Sequence, residues 1–178
     1  MRKLGGRLGV EAMSLYNHVR NKADLLDAIH ETLMEGMAGS LRAAQAGADW
    51  QATAQGMTRA FLTLLQSHPN AIPLFASRSA IAPGSLVMVD GAVGVLIQAG
   101  FTPDESIKIF QTLFALTIGH AMFHYGRRAE DSYARAEEYA KYPYLSQVGS
   151  PTLRDPEAEF EYGLAAVLEG LGGQLNRK

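Results

Sequence analysis

Apolar residues return at intervals of three and four along most of this chain, and no segment reads as a convincing strand. That spacing puts each apolar set on one face of an α-helix, so the chain must bury helix stripes against one another. The fold class is therefore predicted to be all-α. With 178 residues the chain can bury a sizeable core, as one domain or as a small one plus a larger one.

Helix boundaries follow from caps and breakers. Leu4 and Leu8 predict a short helix ending at Gly9, and Met13–Val19 a second. Asn21 is placed to cap a long helix whose stripe is Leu25, Ile29, Leu33 and Met37, and which fades in the Ala- and Gly-rich stretch 43–48. Asp49 or its neighbours open the next helix, with Trp50, Ala54, Met57, Phe61 and Leu65 on one face. His68-Pro69 closes it, because a residue before proline avoids helical geometry. A short helix over Ala71–Ser77 follows, then one begun by Pro83-Gly84 and stopped at Gly100. Thr102-Pro103-Asp104-Glu105 is a strong start: Thr102 caps, Pro103 suits the first helical position and Glu105 completes a capping box. Residues 126–154 are polar and broken by Pro143, Gly149 and Pro151, with room for a helix over Ala129–Tyr139 and then a loop. Asp155-Pro156 opens the last helix, which Gly172-Gly173 is expected to stop.

The helices at 103–125 and 156–171 are more apolar than one small domain needs. They form either the monomer core or a face that packs against its copy as a four-helix bundle; the second reading predicts a homodimer.

The run from Gly9 to Lys22 reads as the turn and second helix of a helix-turn-helix, followed by the start of a third helix. Gly9 suits the turn, and Val10, Leu15 and Val19 are spaced to hold a short helix. Ser14, Tyr16, Asn17 and His18 lie between them, where a DNA-reading helix presents side chains to the major groove. Charge agrees: residues 1–22 carry five cations against one anion, a net of +4, leaving −6 on the rest of a chain whose net charge is −2.

The chain has no cysteine, so neither disulfides nor thiolate metal sites can form, which suits a cytoplasmic protein. The most apolar run, Ile107 to Phe123, contains Lys108, Gln111 and His120 and reads as a core helix rather than a membrane span. No Gly-x-Ser-x-Gly, phosphate loop, dinucleotide loop or zinc pattern occurs, and no enzyme activity or cofactor is expected. Asp90-Gly91-Ala92-Val93-Gly94 is glycine-rich within a helical run and is read as close helix packing. His120 and His124, four apart, have a chelating spacing but no evident third ligand, so no metal is expected.

The stretch from Arg2-Lys3-Leu4 to Leu25-Leu26-Asp27-Ala28 resembles the DNA-binding head of the tetracycline-repressor family. The carrying pattern is Leu-Gly-Val, Leu-Tyr-x-His-Val, Asn-Lys and Leu-Leu-Asp. Asp49-Trp50, His68-Pro69, Gly100-Phe101 and Phe160-Glu161-Tyr162-Gly163-Leu164 extend the likeness over nearly the whole chain. The resemblance implies a head with its connecting helix over 1–45 and an effector-binding and dimerising domain over 46–178. It implies a repressor that leaves a palindromic DNA operator when a small molecule binds. Arg2, Ala12, Met13, Ser14, Tyr16, Asn17, His18 and Lys22 match the DNA-facing positions. Tyr16, His18 and Lys22 suit phosphate, and Ala12 and Met13 offer only apolar contact or act as helix filler. Tyr16 can equally pack as a core aromatic with its hydroxyl outward.

The family places a further helix ahead of this motif, and Met1 falls inside what should be the motif's first helix. Without that cover, Leu4, Leu8 and Leu15 are expected to be poorly packed. Gly5-Gly6 should weaken their helix by ~1 kcal/mol each relative to alanine. Weak DNA binding follows as an expectation, with a dimeric small-molecule sensor that does not bind DNA alone as the alternative. The family's drug–magnesium ligands correspond to Ala38, Met57 and Phe123, which carry no metal-binding atom, while Phe61 matches an aromatic wall. An apolar effector is therefore expected, in a pocket of Met57, Phe61, Phe75, Phe110, Phe114, Thr117 and His120.

Overall fold

The computed structural model describes residues 1–45, 49–78, 83–126, 140–148 and 155–175. Their order is α1 (Arg2–Leu8), α2 (Ala12–Leu15), α3 (Lys22–Gln45), α4 (Trp50–Ser67), a 3₁₀ turn (Pro69–Ala71), α5 (Ile72–Ser77), α6 (Pro83–Gln98), α7 (Pro103–His124), α8 (Leu145–Val148) and α9 (Pro156–Leu175). No strand occurs among the described residues.

The caps work as their chemistry dictates. Asn21 Oδ1 accepts from the Asp24 amide at 3.0 Å, and Asp49 Oδ1 from the Ala52 amide at 2.7 Å. Thr102 Oγ1 accepts from Glu105 N at 3.3 Å while Glu105 Oε2 accepts from Thr102 N at 2.8 Å, a complete capping box. Gly100, at φ 107°, ends α6 in a conformation that L side chains resist, which lets Phe101 N donate back to Leu96 O at 3.1 Å.

α3 packs along α4 and α6, and α4, α6 and α7 pack on one another, with α9 across α7 and α4. Leu65, Ile72 and Leu164 are completely buried where these helices meet. Removing each such side chain from water stabilises the fold by about 1.5–3 kcal/mol. α7 is long and apolar enough to cross a membrane by length and composition, yet Ile109, Leu113, Thr117, Ile118 and Ala121 lie in this core.

Three boundaries differ from those the sequence predicts. The helix expected over Met13–Val19 is regular only to Leu15; Tyr16, Asn17 and His18 then donate to carbonyls three residues back, at 3.1, 3.2 and 3.1 Å. Tightened turns of this kind are common where a helix ends among polar residues. α9 does not stop at Gly172-Gly173 but runs to Leu175. A Cβ on Gly172 would lie 2.9 Å from Gln51 Nε2, so that glycine marks a close approach of α9 to α4 rather than a stop. Residues 145–148, read as loop, form α8, while the helix expected over Ala129–Tyr139 lies outside the described residues.

Gly5 also has a different role from the one expected. A Cβ there would stand 2.7 Å from Val10 O and 3.2 Å from Ala12 N, so glycine is what lets α1 and α2 touch. Gly6 has open space around it and only the helix penalty applies.

Candidate functional site

An apolar cavity of about 60 Å³ sits where α3, α4, α6 and α7 converge. Its principal feature is a stack of phenylalanines. Phe61 and Phe114 lie 4.7 Å apart and nearly parallel, at 6°, and Phe110 continues the stack 5.8 Å from Phe114. Met37, Met57 and Met88 close the space around the rings. Unbranched thioethers rearrange readily, so this wall can yield to a guest larger than the resting cavity.

Among the described lining residues, two are polar, Thr58 and Thr117. Their hydroxyls donate to Ala54 O at 2.6 Å and Leu113 O at 2.8 Å, which leaves lone pairs, and no donor, for a guest. No charged residue lines the cavity among the described residues.

Of the predicted pocket residues, Met57, Phe61, Phe110, Phe114 and Thr117 line this space; Phe75 and His120 do not. Phe75 is buried one layer further out, 5.4 Å from Phe61 and 4.8 Å from His30 on α3. His120 instead lies in the α7–α9 seam, with ring centroids 5.0 Å from Phe160 and 4.4 Å from His124. His120 follows Thr117 by three residues on α7 yet turns toward α9, while Phe75 lies on α5, which contributes no described residue to the cavity. Met37 and Met88 were missed as pocket residues. Met37 continues the Leu25–Leu33 stripe, a signal present in the sequence; α6 is apolar around most of its circumference and gives no clear direction.

Among the described residues, no group of three His, Cys, Asp or Glu side chains is placed to hold a metal ion. His124 Nε2 is 3.1 Å from Glu159 Oε2, and His120 Nε2 is buried with no hydrogen-bond partner among the described residues. Phe123 is 59% exposed and faces away from the core.

Burial lowers the imidazole pKa of both His30 and His120 below the ordinary 6.5. Asp27 and Glu31 oppose this at His30 while Arg78 reinforces it; at His120, His124 reinforces it and Glu159 opposes it. The unfolded chain therefore binds protons that the folded chain refuses once pH falls through 6.5, and stability is lost on that side. The urea midpoint should fall between about pH 7.5 and pH 5.5, and less so in His120→Phe; a flat profile would remove these histidines from the account.

At the N-terminus, Arg2, Met13, Ser14, Tyr16, Asn17, His18 and Lys22 are exposed, and Met13 is 71% exposed. Ala12 is half-buried, with its backbone against Gly5, so it serves the α1–α2 contact. Tyr16 is 44% exposed and is not a core aromatic. Arg20 pairs with Asp24 at 2.8 Å.

The family profile described as "Tetracyclin repressor-like, C-terminal domain" matches residues 43–175, most of the chain. The chain belongs to the tetracycline-repressor family. It is 31% identical over 180 residues to the tetracycline repressor protein class A from transposon 1721 of Escherichia coli, covering 96% of this chain and 79% of that protein. A possible family regulator from Streptomyces coelicolor A3(2) superposes with TM-score 0.81 at 30% identity, over 97% of this chain and 88% of that one. Class A TetR in complex with 5a,6-anhydrotetracycline and magnesium gives TM-score 0.68 at 28% identity, over 97% and 86% of the two chains. These relatives are transcriptional regulators, not enzymes, and this family member shares their all-α architecture. Its cavity, between α3 and the helices α4, α6 and α7, lies within the matched region except for Met37.

Proposed function

We propose that this chain is a homodimeric, cytoplasmic repressor whose grip on an operator is controlled by a neutral, flat, apolar effector held in the phenylalanine-lined cavity. The observation that carries the reading is the Phe61–Phe114–Phe110 stack facing a space with no charged lining residue among those described. Such walls favour aromatic guests by burial and stacking. A metal chelate would need several strong oxygen or nitrogen ligands, and among the described lining residues there are only two threonine hydroxyls, weak ligands beside a carboxylate or an imidazole.

Residues 1–45 act as the DNA-binding unit with its connecting helix, and 46–178 as the effector and dimer unit. α7 and α9 support the dimer: Met122, Phe123 and Tyr162 stand exposed beside small residues such as Ala115, Gly119 and Ala166. Large side chains next to small ones suit close packing against a second copy. Met13, Ser14 and Asn17 are the base-facing set, with Arg2, Tyr16, His18 and Lys22 on phosphates.

The test begins with naphthalene as probe. It should raise the Tm of the wild-type chain and release duplex DNA obtained by in vitro selection, and Phe114→Ala should abolish both effects. A wild type indifferent to naphthalene and to its larger fused-ring homologues would sink the effector reading. On the selected duplex, Lys22→Ala should weaken binding equally across sequences and lower the salt slope by about one. An unchanged slope would remove Lys22 from the phosphate contacts.

A second reading, a sensor that does not bind DNA alone, rests on one observation. Gly5 is the sole buried residue of α1 and α2, with Leu8 59% and Val10 41% exposed, so apolar burial does little to hold this head. Failure of the selection to enrich any duplex would favour it.

A further inference from the structure

A second cleft, about 600 Å³ in volume, opens between the first turns of α4 and the C-terminal half of α6. Trp50 stands on one side; Asp90, Gly91, Gly94 and Gln98 form the other. We propose that this cleft is a second ligand site, for a small molecule carrying a protonated amine on an apolar frame.

The glycine-rich run of α6 points to it. Close helix packing was the expected reason for these glycines, yet a Cβ on Gly94 would meet nothing within 4 Å. Glycine weakens a helix interior, and at Gly94 no neighbouring helix requires it. What its missing side chain does is leave the floor of the cleft open. The chemistry of the walls then selects the guest. Trp50, packed edge-on to Phe101 at 5.1 Å, offers a broad aromatic surface to an apolar frame and to a cation. Among the described residues, Asp90 is an exposed carboxylate with no ion pair, and no cationic side chain lines the cleft. Gln98 adds an amide for a hydrogen bond. The volume lies in the range of roughly 300–1,000 Å³ usual for small organic ligands. Val95 lines both this cleft and the phenylalanine-walled cavity, so the two sites share one side chain as a wall.

Trp50 is the single tryptophan of the chain, so its fluorescence reports on the cleft. The full chain is titrated with phenethylamine and, separately, with phenethyl alcohol, at low salt and at about 1 M salt. The amine should bind roughly three- to fivefold more tightly than the alcohol at low salt, as an exposed ion pair allows. That preference should vanish in Asp90→Asn and at high salt. Gly94→Leu should lose both probes while keeping its helix content and Tm, because its side chain fills open space and not a packed contact. Equal affinity for the two probes, a preference that survives Asp90→Asn, or unchanged binding in Gly94→Leu would each overturn the assignment. Naphthalene binding in Gly94→Leu reads the phenylalanine cavity separately, so either site can fail without the other.

Discussion

Phe75→Ala is expected to lower the unfolding free energy by about 3–5 kcal/mol and to blunt the release of DNA by any ligand of the cavity. The side chain is buried, and it stands between Phe61, which lines the cavity, and His30 on α3. Ring centroids run Phe114 to Phe61 at 4.7 Å, Phe61 to Phe75 at 5.4 Å and Phe75 to His30 at 4.8 Å. Just after α5, Arg78 pairs with Asp27 and donates to Ala23 O at 3.2 Å, both near the start of α3. On the proposed function, a guest that displaces Phe61 would therefore press on α3. Close-packed side chains transmit such a push because there is no void to absorb it. The control is Phe101→Ala: Phe101 is also buried, but it packs on Trp50, away from this path. Both variants should lose similar stability by urea titration, while only Phe75→Ala should lose the ratio of operator affinities with and without naphthalene. Equal ratios in the two variants would show that the ring path carries no coupling.

The second large effect is expected at two adjacent glycines with opposite outcomes. Gly5→Ala pushes a methyl to 2.7 Å from Val10 O, a backbone atom that cannot step aside without separating α1 from α2. Local order of residues 1–19 should be lost, and DNA affinity with it by more than about tenfold, while the rest of the chain melts as before. Gly6→Ala meets nothing within 4 Å and should stabilise α1 by about 0.5–1 kcal/mol. Amide exchange of residues 1–19 reads both: faster in Gly5→Ala, slower in Gly6→Ala. Equal exchange in the two variants would mean that the α1–α2 contact does not hold the head.

These glycines show where sequence reasoning reached its limit. Gly9, at φ 70°, was legible because a turn after an apolar helix has few alternatives. Gly5, Gly94 and Gly172 were not, since whether a missing side chain marks a close approach or an open space depends on what lies opposite. The site was partly legible for a similar reason. Phe61, Phe110 and Phe114 recur at helical spacing and share the inward face of their helices. His120 lies near the inward face of α7 but meets Phe160, and Phe75, on the short α5, meets His30 instead of the cavity.

What the sequence determined alone was local: the helices, the caps at Asn21, Asp49 and Thr102, the exposed polar run from Ser14 to His18, and the family likeness. Each rests on residues within about one or two turns, where backbone hydrogen bonding and side-chain spacing act directly. The tertiary structure decided which apolar faces enclose a void, that Met37 and Met88 wall it, that Phe75 links it to α3, and that α6 turns its glycines toward a cleft. Those outcomes depend on crossing angles between helices far apart in the chain, which follow from how all the side chains pack together and not from the period of any one segment.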